Sequence, residues 1–155
     1  MLALGWSRVD CGKGLVRIEG TVIRSPGEGL FVQRHTKTAA GMRTLHLPSW
    51  ALEVLKRRAA DATSQWVFPS STGTLRDPEN LRSQIRKVVA GTRWEGLHPH
   101  TFRHLVATML DEAGLTAREI ADYLGHEQVS MTQDVYMTRK SSGASAAAVL
   151  ELLRP

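Results

Sequence analysis

Between residues 102 and 125 the chain specifies two consecutive helices that must share one core. Phe102, Leu105, Val106, Met109, Leu110 and Ala113 recur at i, i+3, i+4, i+7, i+8 and i+11, which makes one apolar stripe. Gly114 ends that helix, because a glycine takes the left-handed conformation at a helix end without steric cost. Thr116 and Glu119 then form a capping box, and Ala117, Ile120, Ala121 and Leu124 give the next helix its inner face. Gly125 closes it and leaves His126 in a connecting loop. At about 100° per residue, Arg103 sits at the edge of the first stripe, with His100 and His104 on the opposite side.

The remaining elements are arranged around this pair. Ser130 and Gln133 form a second capping box, so Tyr136 falls on a short helix. A Ser/Gly-rich stretch at 141–145 separates a tail helix at 146–153, which could pack in cis or in trans. Upstream, Asp77 before Pro78 caps a helix that runs to 89, and Ser49 after Pro48 caps one over 50–60. The N-terminal third reads as strands at 15–19, 30–33 and 42–47. The segment 34–42 joins the last two as a hairpin loop with Lys37 near its tip. The expected fold is α+β, mainly helical, with a small antiparallel three-stranded sheet. At 155 residues it makes one domain.

Charge narrows the choice of partner. The net charge of +5 favours a nucleic acid or another anion. The one cysteine, Cys11, excludes an internal disulfide and fits a reducing cytosol. No apolar run approaches the roughly 18 residues of a membrane span, and no signal peptide is visible, so a cytoplasmic protein is expected.

The side chains suit chemistry at a phosphate. Arg103 offers a planar, permanently charged fork for two phosphate oxygens. His100, three residues earlier, can take or share a proton. Tyr136 is a nucleophile that needs cationic neighbours, since a free phenol has a pKa near ~10. His126 could bridge to the same phosphate, and Lys37 could protonate a departing oxygen.

These residues resemble the tyrosine recombinases, or phage-integrase family, in their catalytic domain. The family's His-x-x-Arg-His box is matched by His100, Arg103 and His104, and its Leu-Gly-His box by Leu124, Gly125 and His126. The family tyrosine, nine or ten residues further on, lands on Tyr136. Thr36-Lys37-Thr38 matches the lysine of its β-hairpin, and residues 2–10 resemble the segment after its first catalytic arginine. The resemblance implies the fold of a DNA breaking-rejoining catalytic domain and site-specific recombination through a 3′-phosphotyrosine. Tyr136 would attack, Arg103 and His126 would stabilise the transition state, His100 would be the acid/base, and Lys37 the acid for the 5′-oxygen. Neither metal nor other cofactor is implied. The partners implied are double-stranded DNA, in the nucleoid, and copies of the same chain, as a tetramer engaged through the C-terminal helix.

The resemblance also places the family's first catalytic arginine just before Met1, and a separate N-terminal core-binding domain before that. The 155 residues are therefore expected to be a truncated catalytic domain that recombines poorly alone. Losing such a charge donor costs about 10²–10³ in rate. The competing reading is a non-catalytic DNA-binding protein: a regulator with a helix-turn-helix over 115–136, or an inactive recombinase remnant.

Overall fold

Alternating burial along residues 15–18 builds the first layer. The computed structural model describes residues 1–34, 42–125 and 146–153. Strand β2 (Leu15–Ile18) turns Val16 and Ile18 inward and Arg17 outward, as the two-residue period of a strand requires. It pairs antiparallel with β1 (Val9–Asp10) on one side and with β5 (Arg43–His46) on the other. Strands β3 (Thr21–Ser25) and β4 (Gly29–Gln33) form a separate two-stranded hairpin.

The pairing corrects the expected hairpin of 30–33 with 42–47. Thr21–Ser25 is a strand that the alternation did not single out. The Pro26-Gly27-Glu28 turn delivers β4 back onto it, with the Glu28 amide donating to the Ser25 carbonyl at 3.3 Å. Strand β5 then takes the free edge of β2, with Leu15 opposite His46 and Ile18 opposite Arg43. Gly20 makes the corner between β2 and β3: a Cβ there would lie 2.7 Å from Cγ1 of Val32.

Two apolar clusters stand apart. The sheet-side cluster joins Leu4, Val16, Ile18, Leu55 and Val67, with Trp6, Val9, Leu45, Leu47 and Phe68 against it. Leu55 comes from α1 (Ser49–Ala60). Ser49 was expected to cap that helix, but Pro48 occupies the cap and Ser49 opens the first turn. Its amide and hydroxyl both donate to the carboxylate of Glu151, the hydroxyl at 2.8 Å, so a distant acid satisfies the open helix end. Helix α2 (Pro78–Val89) has the expected ends, with the Asp77 carboxylate accepting from the Glu79 amide at 2.9 Å.

The helical cluster comprises Ala107, Leu110, Leu115, Ile120, Leu124, Val149 and Leu150. It is made by α3 (Pro99–Glu112), α4 (Ala117–Leu124) and the tail helix α5 (Ala146–Leu150), which continues as a 3-10 turn through Leu153. In α4 the four expected inner residues are all buried, and both halves of the Thr116–Glu119 capping box are present. The phase of α3 differs from expectation. Phe102 and Leu105 are 52% and 53% exposed, while Ala107 and Leu110 are fully covered. Arg103, Ala107 and Leu110 therefore run down the covered face, and Arg103 lies along it rather than at an edge. The tail helix buries Val149 and Leu150 in cis, against α3 and α4.

Candidate functional site

The last turn of α4 is where three elements meet. Gly125 caps this helix in the left-handed conformation (φ 71°, ψ 47°), which a Cβ would strain. The final carbonyls of a helix have no intrahelical donor and carry the negative end of its dipole. Arginines supply the donors here. Nη2 of Arg103, from α3, donates to the Leu124 carbonyl at 2.6 Å. Nε of Arg43, from β5, donates to the Tyr123 carbonyl at 2.9 Å. The Tyr123 hydroxyl donates back to the His46 carbonyl, at the other end of β5, at 3.2 Å.

Two half-buried guanidinium groups thus sit side by side. Burial, and then the charge of Arg103, push the Arg43 pKa below its ordinary value, while Tyr123 opposes the shift. Burial raises the Tyr123 phenol above its ordinary value, and the Arg43 charge acts the other way. The Met1 amino group is lowered by burial and, after it, by Arg43. Two guanidinium charges thus lie against the negative end of the α4 dipole, which offsets part of the cost of bringing them together.

His100 lies in the first turn of α3, exposed, one turn before Arg103. Expected on the far side of the helix, it flanks the covered face instead, because that face is rotated toward Arg103. Its ring stands edge-on to that of His104, with centroids 5.3 Å apart. His98, expected in a loop, is the N-cap of α3; its amide donates to the Thr101 hydroxyl at 3.3 Å. The structure thus brings Arg103 to the end of α4, while His100 stands exposed one turn before it on α3. Lys37, His126 and Tyr136 lie outside the described residues, as do the second capping box and the second helix of the helix-turn-helix reading.

Arg43 was missed by the motif reading. Its signal was available: it shares the inward phase of β5 with Leu45, where an apolar residue would be ordinary. Among the described residues no cluster of His, Cys, Asp or Glu could hold a metal ion, and no helix is long and apolar enough to cross a membrane.

The sequence profile of the phage integrase family matches residues 1–142. The chain belongs to the phage integrase family. Among its relatives, a XerC-like tyrosine recombinase of Caldanaerobacter subterraneus subsp. tengcongensis is 26% identical over 160 residues, covering 88% of this chain and 40% of the relative. An integrase of Streptomyces ambofaciens is 30% identical over 116 residues, covering 65% of this chain and 30% of the relative. This family member therefore spans less than half the length of either relative. The fold is also that of solved integrases. The Tn1549 transposon integrase, in complex with a circular intermediate DNA, superposes with a TM-score of 0.74 at 18% identity, over 99% of this chain and 52% of the other. XerA recombinase gives 0.64 at 23% identity, over 99% and 52%. The mainly helical α+β fold expected from the sequence is the one found.

Proposed function

We propose that this chain is the catalytic domain of a tyrosine recombinase, cleaving and rejoining double-stranded DNA. The observation that carries the reading is the bond from Arg103 to the Leu124 carbonyl. It joins Arg103 of the His-x-x-Arg-His segment to Leu124 of the Leu-Gly-His segment, which supports reading the two motifs as one site.

In this reading the phenolic oxygen of Tyr136 attacks the scissile phosphorus and loses its proton to His100. The bond from phosphorus to the 5′-oxygen breaks, and Lys37 gives that oxygen a proton. Arg103 and His126 stabilise the charge on the non-bridging oxygens. The phosphotyrosine ester retains the energy of the broken linkage, so the reverse attack by a 5′-hydroxyl rejoins the strand. A net charge of +5 suits a polyanion in the nucleoid. Copies of the chain would assemble on two duplexes as a tetramer.

The test is covalent trapping. The protein is incubated with a nicked suicide duplex, and the adduct is resolved on a denaturing gel. A slowly accumulating 3′-linked adduct is expected, and Tyr136→Phe should abolish it. Sequence-specific binding without any adduct would overturn the reading in favour of a DNA-binding regulator or inactive remnant.

A further inference from the structure

We propose that Arg43 is a positioning residue for this cleavage reaction. With Arg103 it holds the last two carbonyls of α4, and so fixes the helix end and Gly125, after which His126 follows in sequence. The inference rests on the recombinase reading above, and adds a residue to which that reading gives no role.

The geometry is a two-point attachment. Arg43 and His46 are the first and last residues of β5. One donates to the Tyr123 carbonyl at 2.9 Å, and the carbonyl of the other accepts from the Tyr123 hydroxyl at 3.2 Å. The four residues of β5 are all paired with β2, so both contacts start from a braced strand. Arg103 adds the third contact, from α3 to the adjacent Leu124 carbonyl. Three bonds from two elements therefore converge on two consecutive residues, and His126 follows two positions later.

An apolar residue at 43 would continue the inward face of β5 at no electrostatic cost. It would leave the Tyr123 carbonyl without its guanidinium donor, at a helix end where such donors are needed. The arginine stands there despite burial and a neighbouring like charge, both of which disfavour its charged form. The negative end of the α4 dipole offsets part of that cost. A displacement of about 1 Å in a catalytic group can slow a reaction about 10²-fold.

The experiment compares the full chain with Arg43→Met and Arg43→Lys. Three readouts are taken: the single-turnover rate of adduct formation at saturating suicide DNA, DNA affinity by fluorescence anisotropy, and NMR signals of the Gly125 amide and the His126 imidazole without DNA. Arg43→Met should slow cleavage about 10- to 100-fold, with affinity changed less than about threefold. The Gly125 and His126 signals should both move, and Arg43→Lys should recover part of the rate. Unmoved signals in a folded Arg43→Met variant would overturn the proposal. A loss of affinity alone would also overturn it, and make Arg43 a phosphate ligand. If Arg43→Met does not fold, the Lys variant carries the same readouts. If the parent chain forms no adduct even on prolonged incubation, the recombinase reading fails, while the two NMR signals still decide whether Arg43 holds the end of α4.

Discussion

The two apolar clusters do different jobs because they are assembled from chain segments at different separations. The sheet-side cluster gathers Leu4, Val16, Leu55 and Val67 from segments far apart in sequence. The helical cluster comes almost wholly from residues 107–124, closed by Val149 and Leu150 from the tail. Between them the named contacts are polar: Arg43 with Tyr123, Tyr123 with His46, Trp50 with the Leu150 carbonyl and Ser49 with Glu151. Apolar packing tolerates small slides, whereas hydrogen bonds fix direction and distance. The candidate site lies at this polar seam, where geometry is held most strictly.

The comparison breaks first if the two clusters unfold separately. Leu110 is fully covered, and Leu110→Ala should destabilise the protein by about 2–5 kcal/mol through lost burial and a cavity. Val67→Ala, in the other cluster, removes fewer carbon atoms and should cost about 2 kcal/mol. Urea unfolding would be followed by tryptophan fluorescence, to which Trp6 and Trp66 contribute from the sheet side, and by far-ultraviolet circular dichroism for the helices. We expect the two curves to coincide in the parent chain and in both variants, since the tail helix is fastened to α1 as well as to α3 and α4. Curves that separate in Leu110→Ala would show the seam to be weaker than either cluster.

The same division explains what could be read from the sequence. Helix α4 was legible in full, because a capping box, a 3.6-residue period and a closing glycine are all local. Helix α2 was legible from Asp77 and Pro78 for the same reason. The phase of α3 was not. Its stripe of large apolar residues is wider than the face it buries, and a charged Arg103 occupies the middle of the covered side, held there by the α4 carbonyl. Strand pairing was not legible either, since β5 bonds a strand some thirty residues away rather than its neighbour. In the candidate site, His100 and Arg103 were singled out by motif, while Arg43 was not. Its importance lies in a bond to a residue 80 positions away.

Smaller substitutions at the seam sharpen the contrast between holding and packing. The Trp50 indole donates to the Leu150 carbonyl at 2.8 Å, and the Tyr123 hydroxyl to the His46 carbonyl at 3.2 Å. Trp50→Phe and Tyr123→Phe each remove one such bond and should cost about 0.5–1.5 kcal/mol in urea unfolding. Their local effects should differ. Hydrogen exchange should speed up in the tail helix for Trp50→Phe, and in the last turn of α4 for Tyr123→Phe. An equal effect in both places would mean that the seam opens as a unit.

The smallest effect is expected away from the seam, where α2 is tied to the β3–β4 hairpin by Arg24 and Asp77. Nη2 of Arg24 donates to the Asp77 carboxylate at 2.6 Å, and the same carboxylate caps α2. The Arg24 bond first, and the Glu79 amide second, hold the Asp77 pKa below its ordinary 3.8. A carboxylate depressed on folding stabilises the protein fully above its unfolded pKa, and loses that contribution as the pH falls through its folded value. Stability should therefore decline below the ordinary carboxylate range, and Asp77→Asn should remove part of that decline. Glu119 is lowered in the same direction by Thr116, so the difference between parent and variant, not the parent slope, isolates Asp77. Arg24 is open to solvent, and added salt should weaken its tie, whereas the partly covered Arg43 contact should respond far less. Thermal melts between about pH 2 and pH 6, at low and high salt, would measure both responses. A decline equally steep in Asp77→Asn would show that the cap and its arginine add nothing measurable, and that only the seam joins the sheet to the helices with consequence.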